Sequence, residues 1–137
     1  MGISMFNPEG YSDPTAYEAI RNLEKQKWRS LVYVCSPYSG DVEGNTLKAR
    51  RFSRFAVDQG AIPLTPHLFF PQFVSEEAER DLVLFMDLVL LGRCEQLWVF
   101  GSEVTSGMAA EIARAKRKGM AIRYFTEECV ETDEEDE

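Results

Sequence analysis

Two carboxylates and a tyrosine are the residues of this chain whose types and places could do chemistry. Glu111 follows Gly107 by four residues, with only Met108, Ala109 and Ala110 between them. Small or flexible neighbours beside a carboxylate leave room for a planar or sugar-like ligand, which makes Glu111 the candidate reactive residue. The plain alternative is a helix-surface glutamate paired with Arg114 at i+3. Asp87 stands in a run of leucines, valines and a phenylalanine. A carboxylate there is either desolvated, with the raised pKa a general acid needs, or lies on the one wet edge of its helix. Tyr33 alternates with Val32 and Val34. Its hydroxyl can reach a carboxylate, or it is a core tyrosine with one backbone partner. His67, the single histidine, can contact a ligand or a neighbouring subunit, or simply face solvent. Cys35 reads as a small buried residue.

The element that must position Glu111 is the stretch 96–119. A short apolar run, Leu97-Trp98-Val99-Phe100, breaks at Gly101 and passes through a polar loop to Ser106. A helix then begins, with Ser106 as N-cap, Ala109, Ile112, Ala113 and Ala115 at helical spacing, and Gly119 as the stop after a basic last turn. This places Glu111 just beyond the first turn, on the rim of the apolar stripe. The loop lies at the carboxyl end of a buried strand, where open α/β sheets bind ligands.

Along the rest of the chain, residues 1–12 read as irregular. Asp13-Pro14 opens a helix with Ala16, Tyr17, Ile20 and Leu23 on one face, ending near Lys27. Residues 31–35 (LVYVC) are a strand buried on both faces. Ser36-Pro37-Tyr38-Ser39-Gly40 is a hydroxyl-rich turn. Asn45 or Thr46 caps the next helix, which carries Ala49, Phe52, Phe55 and Ala56 inward and stops at Gly60. Residues 61–65 form a second strand and 66–73 a loop with His67, Phe69 and Phe70. Ser75 then caps a helix through Leu91 that is apolar nearly all round and should be largely buried. Residues 121–125 are the last strand.

This alternation predicts an α/β fold with a parallel sheet of about four strands, order 2-1-3-4, and helices on both faces: a flavodoxin-like three-layer sandwich. The switch point lies between the first and third strands, where the loops 36–40 and 101–107 meet. The expected division is an N-terminal segment with one helix (1–30), an α/β domain (31–126) and an acidic tail (127–137). One difficulty is that a helix leading into the third strand ends at the edge away from the site. Asp87 reaches the pocket only if that helix is broken near Phe85 or tilted; Asp81 is the fallback acid.

Composition narrows the function classes. Of the 23 acids, eight fall in residues 127–137, which hold no base; the remainder of the chain is balanced against 15 bases. Electrostatic capture of nucleic acid is therefore not expected. The tail reads as a solvated extension without the apolar surface to fold, whose removal should leave the melting temperature within a few degrees. Arg50, Arg51 and Arg54 read as a solvated face, or as a basic docking patch. The three cysteines form no CxxC pair, and with one histidine a zinc site is not indicated. Reduced thiols fit a cytoplasmic protein. Neither a membrane span nor a leader is expected. GxGxxG and GxxxxGKS/T are absent, so the two loops offer small residues, hydroxyls and a helix N-terminus, which suit an anionic or polyhydroxylated ligand.

The pieces Val32-Tyr33-Val34-Cys35-Ser36, residues 63–70 (PLTPHLFF), Asp87-Leu88, residues 94–100 and Ser106-Gly107-Met108-Ala109-Ala110-Glu111 carry a resemblance. The chain resembles the nucleoside 2′-deoxyribosyltransferase superfamily, which includes the 2′-deoxynucleoside 5′-phosphate N-hydrolases, over residues 31–125. Asp87 stands eight residues before Glu95 and 24 before Glu111, the spacing of the paired acids in the hydrolase group. The resemblance implies a Glu111 nucleophile on the sugar C1′, Asp87 assisting the departing base and Tyr33 orienting the nucleophile. It implies that Ser36 and Ser39 hold a 5′-phosphate, with Tyr38, His67, Ser106, Gly107 and Met108 around the substrate. It also implies no cofactor, a nucleoside or nucleotide partner, and a homo-oligomer, most simply a dimer. Two departures stand out. Met108-Ala109-Ala110 replaces a glycine-rich run, and residues 69–80 are unlike the enzymes. The competing expectations are a non-catalytic nucleotide-binding or sensor module, and a protein-interaction module.

Overall fold

The computed structural model describes residues 14–24 and 28–133. The expected irregular start at 1–12, the cap at Asp13 and the helix end near Lys27 lie outside the described residues. The elements are α1 (Pro14–Glu24), β1 (Leu31–Cys35), α2 (Val42–Asp58), β2 (Ile62–Leu64), two 3-10 turns (Pro66–Leu68 and Phe70–Gln72), α3 (Arg80–Leu91), β3 (Gln96–Phe100), α4 (Ser106–Arg117), β4 (Ala121–Phe125) and β5 (Glu131–Thr132).

β1 is buried because it lies inside the sheet and is covered on both faces. It pairs in parallel with β2 and β3, and β3 pairs in parallel with β4. Residues alternate across a strand, so Tyr33 and Cys35 join Leu97, Val99, Met108, Ile112 and Leu91 in a core under α3 and α4. Val32 and Val34 join Phe52, Ala56, Trp98, Phe100 and Phe125 in a second core under α2. Phe52 stacks on Phe100 with ring centroids 4.4 Å apart, and Phe55 closes that cluster edge-on against Phe100 and Phe125.

The sheet has five strands, not four, in the order β2-β1-β3-β4-β5. The added strand comes from the acidic tail and runs antiparallel to β4. Glu131 takes both ends of the Arg123 guanidinium, at 2.8 Å from Nε and 2.7 Å from Nη2. That guanidinium lies over the Trp98 ring, 4.6 Å from its centroid. Glu127 pairs with Lys48 at 3.0 Å, and its carbonyl accepts from Arg51 at 3.0 Å. The solvated tail is therefore corrected for residues 127–133. Cations on the fold attract this acidic segment, and a free sheet edge supplies the backbone partners that its few apolar residues could not.

Other boundaries shift for local reasons. Asp41, not Asn45 or Thr46, caps α2 by accepting from Gly44 N at 3.1 Å. Thr105, not Ser106, caps α4 by accepting from Met108 N at 3.2 Å. At the other end of α4, Gly119 takes φ +71°, a conformation that favours glycine after a helix. α3 begins at Arg80, four residues later than its Ser75 cap implied. Ser75 instead closes a turn, with Ala78 N donating to its Oγ and its own N donating to Glu79 Oε1, both at 3.0 Å. α3 is also not largely buried. Val83, Asp87 and Leu91 face inward while Leu82, Phe85 and Val89 are exposed. The sheet covers only one side of a helix that is apolar on several.

Candidate active site

A cavity of about 750 Å³ opens beyond the carboxyl ends of β1 and β3. Its walls come from the turn after β1, the first turn of α2, the 3-10 turns, residues 74–80, α3 and the start of α4. Glu111 lies in it, yet is only 3% exposed. The buried face of α4 is Met108, Glu111, Ile112 and Ala115, whereas Ala109 and Ala113 are exposed. Glu111 is thus on the buried stripe and not on its rim. Alanine fits either environment; the larger Met108 and Ile112 set which face turns inward.

The geometry decides between the two readings of Glu111. Its Oε2 accepts from the Tyr33 hydroxyl at 2.6 Å, a short charge-assisted bond across β1 and α4. Burial raises the Glu111 pKa, while the Tyr33 hydroxyl, His67 and the Cys35 thiol pull it back down. The net direction is upward. Tyr33 in turn stays un-ionised, because burial first and then the Glu111 charge push its hydroxyl up. Cys35, two residues along the same strand face, is buried at 1% exposure in the core cluster, the small buried residue its sequence setting implied.

Asp87 is also 3% exposed, and its Oδ1 has no hydrogen-bond partner. Burial and then the Glu111 charge push its pKa up to about 7, against the opposing pull of His67. It reaches the cavity without a break in α3, which is continuous over Arg80–Leu91 and lies against α4. The cavity extends down between the two helices. Asp81 is exposed and is not part of the lining.

His67 lies in the first 3-10 turn and its side chain is 17% exposed. Its ring stacks on Tyr38 with centroids 5.0 Å apart. Its Nδ1 is 3.6 Å from Glu76 Oε2, an ion-pair separation too long for a hydrogen bond. Burial lowers its pKa, but Glu76, Glu111 and Asp87 together outweigh burial and raise it, so the cationic imidazole is favoured.

Of the expected substrate residues, Tyr38, Ser39, His67, Ser106, Gly107 and Met108 line the cavity. Ser36 does not: it is buried at 1% exposure, with an unpartnered Oγ. Nothing lies within 4 Å of where a Gly107 Cβ would sit, so the α4 N-terminus is open. Met108 packs into the core below. Sequence reasoning missed Glu76, Arg80 and Thr105. Arg80 Nη2 donates to Ser106 Oγ at 2.7 Å, bridging α3 to the α4 N-terminus. The one signal for this wall was Ser75, whose cap closes the turn carrying Glu76. Among the described residues, no group of three or more His, Cys, Asp or Glu side chains is arranged to hold a metal ion.

The fold and the cavity define an α/β domain with two buried carboxylates at the carboxyl edge of a mostly parallel sheet. Residues 30–125 match the family described as a domain of unknown function, DUF7768, and the chain belongs to that family. No curated protein matches it. Among the described residues, no helix is long and apolar enough to cross a membrane.

Proposed function

We propose that the protein cleaves or transfers at the N-glycosidic bond of deoxyribonucleosides or their 5′-monophosphates, as a relative of the nucleoside 2′-deoxyribosyltransferases with a flavodoxin-like three-layer fold. The observation that carries this reading is the Glu111 carboxylate, held by Tyr33 at 2.6 Å and sharing its cavity with the buried Asp87. One carboxylate is aimed and hydrogen-bonded as a nucleophile. The other keeps a proton near neutrality, as a general acid must.

In the proposed reaction a Glu111 oxygen bonds to C1′ as the C1′–N bond breaks. The bonding electrons pass to the base nitrogen, and Asp87 gives the base its proton. Water then adds to the glycosyl ester in hydrolysis, and a second base takes the sugar in transfer. A 2′-deoxy sugar is favoured, because Met108, which lines the cavity with Glu111, offers no side-chain hydrogen bond to a buried 2′-hydroxyl, at a cost of about 1–3 kcal/mol. A 5′-phosphate has Ser39, Ser106, Arg80 and the amide groups at Gly107 for partners. Three unpaired thiols fit a cytoplasmic setting.

The test is release of free base from 2′-deoxynucleosides and their 5′-monophosphates, with and without an acceptor base. Turnover lost in Glu111→Gln supports the reading; normal turnover in that variant rejects it. A second reading, a nucleotide sensor, draws on one observation: burial holds the Glu111 pKa upward, which lowers the fraction of nucleophilic carboxylate. It predicts ligand-induced thermal stabilisation without base release.

A further inference from the structure

Residues 69–80 depart from the resembled enzymes, yet they build one wall of the cavity through Pro71, Val74, Ser75, Glu76, Glu77 and Arg80. Within that wall Glu76 differs from its neighbours. Its side chain is 17% exposed, and its Oε2 is buried without a hydrogen-bond partner. It sits on the turn closed by Ser75 and Glu79, with Glu79 N also donating to Ser75 O at 2.9 Å. His67 Nδ1, the ion-pair neighbour of Glu76 Oε2 at 3.6 Å, and Asp87 Oδ1 are likewise buried without a hydrogen bond. An ion pair too long to be a hydrogen bond, beside a wholly unpartnered oxygen on the 3% exposed Asp87, marks a place built for a polar ligand.

We infer that Glu76 is a specificity-determining residue that accepts a hydrogen bond from an exocyclic amino group of the ligand's base. An ionised carboxylate only accepts, so it matches an amine and repels a ring oxygen at the same place. The neighbouring His67 and Asp87 can donate to the ring nitrogen beside such an amine, so the site complements the amine donor and ring-nitrogen acceptor of adenine and cytosine, whereas hypoxanthine and uracil present the two in reversed places. A site built around a hydrogen-bonding group rejects the analogue lacking it because its own polar group is left unpaired. The selected class is therefore amino-bearing bases over their oxo counterparts. This inference rests on the nucleotide reading above and deepens it.

The experiment is titration calorimetry on the Glu111→Gln protein, with matched pairs differing at one position of the base: dAMP against dIMP, and dCMP against dUMP. At least one amino member should bind about tenfold or more tighter than its oxo partner. Adding Glu76→Gln, whose amide can both donate and accept, should shrink that ratio to about threefold or less, with the melting temperature reporting an intact fold. Equal affinity within both pairs, or a ratio unchanged by Glu76→Gln, overturns the Glu76 inference and leaves the nucleotide reading standing. Binding of none of the four overturns both.

Discussion

Glu111 gains from Tyr33 what burial takes away. Removing the 2.6 Å bond in Tyr33→Phe leaves the carboxylate with burial as its largest influence, so its pKa must rise further. We expect the acid limb of the pH–rate profile to move to higher pH, with base release reduced most below neutrality. An acid limb that stays in place would show that Tyr33 does not act on the nucleophile. Asp87 poses the opposite question, because its proton is held up to about pH 7. Below about pH 4 both folded and unfolded chains carry that proton, and it has no effect on stability. Between about pH 4 and 7 only the folded chain keeps it, so this group's contribution falls as pH rises and is fully unfavourable above that window. Asp87→Asn should therefore raise the melting temperature relative to the parent more at pH 8 than at pH 4, while slowing base release about 10²–10⁴-fold. An equal change at both pH values contradicts the assigned burial.

At the scale of elements, α4 presents its N-terminus to the cavity through a first turn that Thr105 caps. Thr105→Ala removes the acceptor for Met108 N and should cost about 1 kcal/mol, read as a lower urea midpoint. Nucleotide affinity should fall with it, since the same turn carries Ser106 and Gly107. Unchanged stability and affinity would assign the cap to neither task. α3 turns Asp87 inward together with Val83 and Leu91 and leaves Leu82, Phe85 and Val89 outward. That orientation leaves an apolar stripe that solvent does not favour.

At the scale of the molecule, that stripe is the motive for expecting a dimer. Light scattering should give twice the chain mass at micromolar concentration, and Phe85→Lys should return it to the monomer. A parent that is already monomeric rejects this arrangement. The tail offers a second test. Truncation after Thr126 removes β5, the Arg123–Glu131 fork and both Glu127 contacts. Exposed pairs are weak individually, but together with the strand pairing they should be worth about 1–2 kcal/mol, or roughly 5 °C in melting temperature. Truncation after Asp133 keeps every one of these contacts and should leave the melting temperature of the parent. Equal melting for both truncations would return residues 127–133 to a passive role.

The apolar run at Leu31–Cys35, the glycines at 60, 101 and 119 and the run at residues 97–100 are local signals, and they placed the parallel strands and their helices. Spacing along one helix likewise put Glu111 near a strand's carboxyl end, and the leucine-rich setting marked Asp87 as a carboxylate open to desolvation. What the chain alone left open were facts about which surfaces meet. Whether Glu111 faces solvent or Tyr33 depends on how α4 rotates against β1, and alanines on both sides of the helix carry no information on that angle. Whether Asp87 reaches the cavity depends on α3 lying beside α4, a packing that no spacing encodes. Glu76, Arg80 and β5 come from segments with mixed or acidic composition. Their places are set by partners distant in sequence: His67, the α4 N-terminus at Ser106, and Arg123 on an open sheet edge. Periodicity reports a residue's neighbours along its own element, and the cavity is made from contacts between elements.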